Sequence, residues 1–115
     1  MLLVIDVGNT NTVIGCLEGT ALVHHWRIST VSRTTDEVGL LMLQLLDHRS
    51  LQAADIHGAA ISCVVPSLLY TLEKACRRYL GVEAMVVGRG IRTGMRVRTD
   101  NPREVGADRI INAVA

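Results

Sequence analysis

The sequence predicts an α/β fold with one mixed sheet, in which an antiparallel meander of three strands comes first and helices then alternate with strands. Three short apolar runs at the start of the chain are separated by only a few residues each, as the strands of a meander are. After residue 33 the apolar spacing changes to the helical period and alternates with further short apolar runs. With 115 residues, 49% of them apolar, we expect one domain over residues 1–115.

The meander is predicted from three segments and the turns between them. The first segment ends at Asp6 and Gly8, and its continuous apolar character is typical of a strand buried on both faces. Its connection to the second strand, Gly8-Asn9-Thr10-Asn11, is unusually polar for a link between core strands. Glu18 and Gly19 form the next turn. The predicted strands are residues 2–5, 12–17 and 21–28.

Two helices and two further strands are predicted next. Thr34 and Glu37 have the spacing of a capping box, which indicates a helix that ends near residues 47–49. Apolar residues at helical spacing over residues 67–80, followed by Gly81, predict a second helix with a glycine cap. The predicted strands around it are residues 58–65, ended by Pro66, and residues 83–87.

The last part of the sequence predicts a loop and a final helix. Residues 88–98 contain three glycines and four arginines. Asn101 and Pro102 then have the cap and first-turn pattern of a helix that continues to residue 115. Because this helix would end without a cap and with an apolar face, we expect the chain to be the N-terminal domain of a longer protein whose C-terminal domain is absent.

Composition and charge exclude several classes of protein. The 12 basic and 11 acidic residues give a net charge of +1, so neither nucleic acid nor a membrane surface is an expected partner. The apolar runs are too short to span a membrane, and the N-terminal run has no basic residues before it, so we expect a cytoplasmic protein. Cys16, Cys63 and Cys76 form no CxxC pair and are expected to be buried, reduced thiols.

The first candidate site is the segment from Asp6 to Thr12. Asp6 ends an apolar strand, where a carboxylate is costly unless it has a partner, and Gly8 allows a ligand to approach the backbone. The asparagines and threonines that follow offer amide and hydroxyl donors, which suit phosphate oxygens, and the neighbouring carboxylate could hold Mg²⁺ through water. An ordinary hairpin turn rich in Asn and Thr is the alternative interpretation.

The second candidate site is Gly106-Ala107-Asp108-Arg109 on the last predicted helix. Helical spacing places Asp108 and Arg109 on one face, opposite an apolar face. Asp108 could act as a general base, and Arg109 could hold an anionic substrate with two parallel hydrogen bonds. A solvated face with a weak charge pair is the alternative.

Three other features contain residue types that can bind ligands or metals. The arginines of residues 89–98 favour a solvated loop, with an anion-attracting mouth or a nucleic-acid patch as alternatives. His24 and His25 are adjacent on a strand, so their side chains should face opposite sides and not share a metal. Trp26 is expected in the core or in an interface.

Three segments together resemble one enzyme family. Asp6-Val7-Gly8-Asn9-Thr10 after an apolar strand resembles the first phosphate motif of the acetate kinase/Hsp70/actin superfamily. Residues 61–67 and the Asn-Pro-Arg-Glu-Val-Gly-Ala-Asp-Arg run within residues 100–115 narrow the resemblance to type III pantothenate kinase. Some members of that family are also labelled Bvg accessory factor-like transcriptional activators. The resemblance covers the whole chain but only the N-terminal half of the family's chain.

The resemblance implies a fold, a reaction and a set of residues. The implied fold is ribonuclease H-like, as in actin-like ATPases. The implied reaction is the ATP-dependent phosphorylation of pantothenate to 4'-phosphopantothenate, which is the first step of coenzyme A biosynthesis. The implied enzyme is a homodimer. Asp108 is implied as the catalytic base, and Asp6 as the residue that acts on Mg²⁺ through water. The implied ATP phosphate residues are Asp6, Val7, Gly8, Asn9, Thr10, Asn11, Thr12 and Val13. The implied pantothenate residues are Thr99, Gly106, Ala107, Asp108 and Arg109. Thr99 stands where the family often has Tyr.

The resemblance also implies parts that lie in the second domain. These are the second phosphate motif, the adenosine site and the site for a monovalent cation, K⁺ or NH₄⁺. Since phosphoryl transfer depends on positioning, the chain alone is expected to have negligible kinase activity.

Two other functions remain as alternatives at this point. One is a Bvg accessory factor-like regulator that binds nucleic acid, for which we find no helix-turn-helix pair of suitable spacing. The other is a two-metal nuclease on the same fold, for which Asp6 and Asp108 supply two carboxylates at most.

Overall fold

A five-stranded mixed sheet forms the centre of the computed structural model, which describes residues 1–87. Its strands are β1 (Leu2–Val7), β2 (Asn11–Glu18), β3 (Ala21–Ser29), β4 (Gly58–Cys63) and β5 (Ala84–Val87). Their order across the sheet is β3-β2-β1-β4-β5. The pairs β1–β2 and β2–β3 are antiparallel, whereas β1–β4 and β4–β5 are parallel. The predicted α/β fold and its initial meander are therefore confirmed.

Two helices pack on one face of this sheet. α1 spans Thr35–His48, and α2 spans Pro66–Ala75 and continues in a π-helical turn, Cys76–Leu80. A short 3-10 turn, Ala53–Asp55, precedes β4. The buried side chains that join the two layers are Leu3, Ile5 and Val7 of β1, Val38, Met42 and Leu46 of α1, and Leu72 of α2. Each such aliphatic side chain contributes about 1.5–3 kcal/mol when fully buried.

β1 is buried on both faces, as its continuous apolar sequence predicts. Leu2 and Val4 belong to a second cluster, with Leu17 and Ala60, on the face opposite α1 and α2. Val4 is 1% exposed and Ile5 is fully buried. The strand that carries Asp6 is thus held from both sides and by β2 and β4 along its edges, which gives its carboxyl end a fixed position.

The predicted helix signals are found where the sequence places them. The hydroxyl of Thr34 accepts from the backbone N–H of Glu37 at 3.1 Å, and the Glu37 carboxylate accepts from the backbone N–H of Thr34 at 2.8 Å. Gly81 closes the second helix with a φ of +70°. β4 ends at Cys63 rather than at residue 65, because Val65 is already the N-cap of α2 and Pro66 is its first residue.

The π-helical turn contacts the start of α1. The ring of Tyr79 lies against Gly39, so that a Cβ at this position would overlap the ring. The carboxylate of Asp36 accepts hydrogen bonds from the hydroxyl of Tyr79 and from Arg78, the latter at 3.2 Å. Periodicity alone predicted one continuous helix over residues 67–80, whereas the structure has a widened last turn that brings Tyr79 onto α1.

The predictions for the cysteines and for the third strand are largely confirmed. Cys16 and Cys76 are buried free thiols, and burial raises their pKa to about 11 and about 12. Cys63 is also free but only half-buried. Along β3, His24 is half-buried and stacks on Trp26, while His25 is exposed. Trp26 packs against the edge of the core.

Several predictions fall outside the described residues. They concern the arginine-rich loop at residues 88–98, the last helix at residues 101–115, and the five implied pantothenate residues.

Candidate functional site

The candidate site is built at the carboxyl end of β1, the central strand. Asp6 is half-buried there and lies between β2 and β4, opposite Val13 on the first and Ser62 on the second. In open α/β sheets, ligands bind outside the carboxyl ends of the strands. The preferred place is where the connections that follow two neighbouring strands run in different directions. β1 leaves this edge by a tight turn and β4 leaves it by a helix, so Asp6 lies at such a place.

The turn after Asp6 is short and exposed. The backbone N–H of Gly8 donates to the carbonyl of Asn11 at 2.9 Å, which leaves Asn9 and Thr10 as a two-residue tip, called the Asn9-Thr10 turn below. A Cβ at Gly8 would lie 3.2 Å from the Asn11 carbonyl oxygen, which is tighter than most real contacts. An alanine at this position would push the Asn11 carbonyl away by a few tenths of an ångström, so glycine favours the close approach of the two strand ends.

The donors of the Asn9-Thr10 turn are not used within the described part of the protein. The backbone N–H groups of Asn9 and Thr10 make no hydrogen bond there, and neither do the side chains of Asn9, Thr10 and Asn11. Successive unpaired N–H groups beside amide and hydroxyl side chains form a concave donor surface that suits an anion with several oxygens, such as a phosphate chain.

A residue that the sequence did not point to supports this turn. The backbone N–H of Thr30, just after β3, donates to the carbonyl of Thr10 at 2.9 Å, and its hydroxyl lies 2.8 Å from the hydroxyl of Thr12. Antiparallel register between β2 and β3 pairs Asn11 with Ser29, which brings Thr10 opposite Thr30. An explicit register prediction for the meander could therefore have identified Thr30.

The structure divides the predicted phosphate residues into two groups. Asp6, Gly8, Asn9, Thr10 and Asn11 lie together at the accessible end of β1. The side chains of Val7 and Val13 are buried, and both residues lie within the strand pairings, so neither presents a side chain to a ligand. Thr12 is 6% exposed, shares the helix-facing side of β2 with Ile14, and its hydroxyl is paired with Thr30. Thr12 therefore supports the turn from below.

The end of β4 completes the described part of the site. Ser62 is next to Asp6 on the neighbouring strand, and parallel register places both side chains on the same face. The hydroxyl of Ser62 makes no hydrogen bond within residues 1–87. Cys63 faces the other side, where its thiol donates to the carbonyl of Val65 at 3.0 Å. Burial raises the pKa of Cys63, and the negative charge of Asp6 adds to the rise.

These residues fit a hydrated magnesium ion better than a metal enclosed by protein. Mg²⁺ prefers oxygen ligands, keeps several waters, and is usually held by one or two carboxylates together with substrate phosphates. Asp6 supplies one carboxylate, and Ser62, which pairs with it on the neighbouring strand, supplies a neutral hydroxyl oxygen. Within the described residues no three His, Cys, Asp or Glu side chains come together as a metal-binding group.

The second predicted site lies outside the described residues. It comprises Thr99, Gly106, Ala107, Asp108 and Arg109, so the roles proposed for Asp108 and Arg109 stay predictions. As for membranes, none of the helices in residues 1–87 is long and apolar enough to cross a bilayer.

Comparison with known sequences finds a family that matches almost the whole chain. The family model for type III pantothenate kinase matches residues 2–115. The chain is 53% identical over 116 aligned residues to the type III pantothenate kinase of Geobacillus kaustophilus and 55% identical to that of Syntrophus aciditrophicus. Both alignments cover all of this chain but only 45% and 46% of those proteins. The chain thus spans about half the length of the curated relatives it matches.

A solved structure from Porphyromonas gingivalis supports the fold. A Porphyromonas gingivalis protein assigned as an N-acetylglucosamine kinase aligns over 75% of this chain and 34% of its own, with a TM-score of 0.55 and 18% identity. The RuvC structure of Thermus thermophilus covers 85% of this chain and 76% of its own, with a TM-score of 0.48 and 18% identity. The kinase likeness and the observed strand order agree with the predicted ribonuclease H-like fold class.

Proposed function

Because the chain belongs to the type III pantothenate kinase family, we propose that the protein carrying it transfers the γ-phosphoryl group of ATP to pantothenate. The observation that supports this proposal most directly is the Asn9-Thr10 turn, whose backbone donors have no partner within residues 1–87 and which follows Asp6 at the end of the central strand. ATP and pantothenate are then the substrates, and the product enters coenzyme A biosynthesis.

The described residues would act on the phosphate end of ATP. The N–H groups of Asn9 and Thr10 would donate to phosphate oxygens, and Gly8 lets the backbone come close to them. The Asp6 carboxylate would hold the magnesium ion through water and so orient the phosphate chain. A bound Mg²⁺ supplies charge stabilisation during the transfer, which is the main requirement of phosphoryl transfer.

The pantothenate side is proposed from the sequence. Asp108 would take the proton of the primary hydroxyl of pantothenate, and Arg109 would bind its carboxylate with two parallel hydrogen bonds. Thr99, Gly106 and Ala107 would line the same site. Thr99 is shorter than the tyrosine frequent at this position in the family, so it would make a smaller contact with substrate.

Four further properties belong to the same proposal. A monovalent cation, K⁺ or NH₄⁺, would bind in the part of the protein beyond these 115 residues. The enzyme would be a homodimer in the cytoplasm, with no nucleic-acid partner, in keeping with the net charge of +1. A polypeptide of residues 1–115 alone would have negligible activity, because it spans only 45% of the length of its relatives.

A coupled assay tests the proposed reaction. The full-length protein, with ATP, pantothenate, Mg²⁺ and K⁺, is expected to release ADP only when pantothenate is present. A polypeptide of residues 1–115 under the same conditions is expected to release none. Pantothenate-independent ADP release by the full-length protein would contradict the proposed substrate, and robust turnover by residues 1–115 would contradict the need for the rest of the protein.

The role of Asp108 is tested by Asp108→Asn in the full-length protein. The variant should lose at least about a hundredfold in kcat, because general-base catalysis typically contributes that much, while ATP affinity stays close to that of the wild type. Steady-state kinetics and equilibrium nucleotide binding measure the two quantities. An equal loss of both would mean that Asp108 maintains the structure of the site and does not act as the base.

A further inference from the structure

We propose that Thr30 is a positioning residue for the ATP phosphates, acting through Thr10 and Thr12; this inference rests on the proposed function. Thr30 lies just past the end of β3, outside the Asp6 to Val13 segment and outside the other residues given a role above. Its own side chain is half-buried and would not touch the nucleotide.

Thr30 holds the Asn9-Thr10 turn by two different groups. Its backbone N–H donates to the carbonyl of Thr10 at 2.9 Å, and its hydroxyl is 2.8 Å from that of Thr12. Because the peptide bond is planar, a fixed Thr10 carbonyl also fixes the plane of the peptide that joins Thr10 to Asn11. The two contacts therefore set the orientation of one side of the turn.

The turn needs such support because little else holds its tip. Asn9 and Thr10 are exposed, and the hydrogen bond from Gly8 to Asn11 closes the turn only at its base. Within residues 1–87, Thr30 is the only residue from another strand or connection that hydrogen-bonds to the tip. Donors that are fixed before the ligand arrives bind it without a further loss of conformational entropy. Support of the tip should therefore raise the affinity for phosphate.

The pair of hydroxyls also explains a buried polar group. Thr12 is 6% exposed and lies among apolar side chains that face the helices. A buried hydroxyl without a partner is costly, and Thr30 supplies the partner. Beyond Thr30, residues 31–33 lead to Thr34, the N-cap of α1, so the turn is connected to the helical layer through one short segment.

Thr30→Val in the full-length enzyme tests the proposal, because valine keeps the branched shape and removes only the hydroxyl. We expect the KM for ATP to rise about fivefold, the typical weight of one hydrogen bond, with the KM for pantothenate unchanged. Equilibrium binding should show the same loss for ATP and no loss for adenosine, which lacks phosphates. Thr30→Ser should restore wild-type values.

The control is Thr20→Val, at the exposed turn between β2 and β3, where the same change removes a hydroxyl with no partner among the described residues. This control should leave the KM for ATP, the KM for pantothenate and the affinities for ATP and adenosine unchanged. If Thr30→Val does not fold, the double variant Thr12→Val/Thr30→Val leaves no orphaned hydroxyl and should fold with the same raised KM for ATP. An unchanged KM for ATP in either variant, or an equal loss for adenosine, would overturn the positioning role.

The activity assay and the binding experiments distinguish a wrong role for Thr30 from a wrong proposed function. If the wild-type protein does not phosphorylate pantothenate, the proposed function fails, yet the ATP and adenosine binding experiments still test Thr30. If the wild-type protein is active and Thr30→Val binds ATP normally, the proposed function stands and the inference about Thr30 is wrong.

Discussion

The two turns of the meander have the same length but differ in their contacts with the rest of the structure. The Asn9-Thr10 turn is closed by Gly8 and Asn11, and the Gly19-Thr20 turn is closed by Glu18 and Ala21. Gly19 has a φ of +67°, and a Cβ there would meet no atom within 4 Å. The second turn is an exposed connection, whereas the first is hydrogen-bonded to Thr30, just after β3, and lies beside the end of β4.

The surroundings of the two turns explain the difference. At the edge of the sheet that holds the Gly19-Thr20 turn, the N-terminal ammonium donates to the carbonyl of Asp55 at 2.9 Å and lies 3.2 Å from Nδ1 of His57. That end of the strands thus holds the chain terminus, while no residue from outside the Gly19-Thr20 turn hydrogen-bonds to its tip within residues 1–87. At the opposite end the donors of Asn9 and Thr10 are likewise unpaired within residues 1–87, but the turn follows Asp6 and is held by Thr30. A turn becomes a binding site when its donors stay unpaired and its shape is held from outside.

The largest expected effect comes from exchanging the acid beside each turn for its amide. Asp6→Asn in the full-length protein should lower kcat at least about a hundredfold, because the carboxylate that orients the metal is lost. Glu18→Gln, beside the Gly19-Thr20 turn, should leave kcat unchanged. Steady-state kinetics at saturating Mg²⁺ measure both. Comparable activity of the two variants would remove the functional distinction between the turns.

An intermediate effect is expected from alanine at the glycine of each turn. Gly8→Ala should weaken ATP binding about tenfold, since the Cβ forces the turn to shift by a few tenths of an ångström, and should change stability little. Gly19→Ala should leave ATP binding unchanged and lower the free energy of unfolding by about 1 kcal/mol, because its positive φ strains any residue with a Cβ.

Nucleotide titration and denaturant unfolding of the same two proteins measure these quantities. The comparison is informative because each variant is the control for the other. Loss of ATP affinity in Gly19→Ala, or normal affinity in Gly8→Ala, would show that the two turns do not differ in the way proposed.

The smallest expected effect lies away from both turns, at the contact between α1 and the π-helical turn. The hydroxyl of Tyr79 and then the guanidinium of Arg78 lower the pKa of Asp36 below its ordinary value of 3.8. The carboxylate of Asp36 therefore binds a proton less tightly in the folded protein than in the unfolded chain. The resulting stabilisation is present above pH 3.8 and is lost as the pH falls through the lowered pKa.

Asp36→Asn tests this pH dependence. The variant should be slightly less stable than wild type at neutral pH, and the difference should shrink as the pH falls below about 3.8. Denaturant unfolding at several pH values measures it, with Asp47→Asn on the same helix as the control. A constant difference at all pH values would mean that the Asp36 carboxylate is not the group that titrates. ATP affinity should not change, since the Asp36 carboxylate pairs with Tyr79 and Arg78 and makes no hydrogen bond to the Asn9-Thr10 turn.

Local sequence signals predicted most of the described fold because they act over a few residues. The capping box of Thr34 and Glu37, the glycine cap at Gly81 and the buried strand before Asp6 each depend on nearest neighbours or on simple periodicity. The π-helical turn was not predicted, since it depends on the contact of Tyr79 with Gly39, two residues 40 positions apart. Similarly, the earlier end of β4 depends on where α2 begins.

Local sequence signals also predicted part of the candidate site. Asp6 and the polar residues after it are consecutive, so the sequence alone identified them and their suitability for phosphate. Thr30 and Ser62 were not identified as part of it, because each reaches the site through strand pairing rather than through sequence proximity. The role of Thr12 also depended on the structure, since only its pairing with Thr30 shows that its hydroxyl supports the turn.

The sequence by itself determined the family, the α/β class and the position of the polar turn at the end of a buried strand. These properties depend on residue type and short-range spacing, which are read directly along the chain. Only the tertiary structure decided which of two similar turns is held in shape by a residue from outside it and lies beside the end of the central strands. That decision depends on strand register and sheet order, through which residues distant in sequence come into contact.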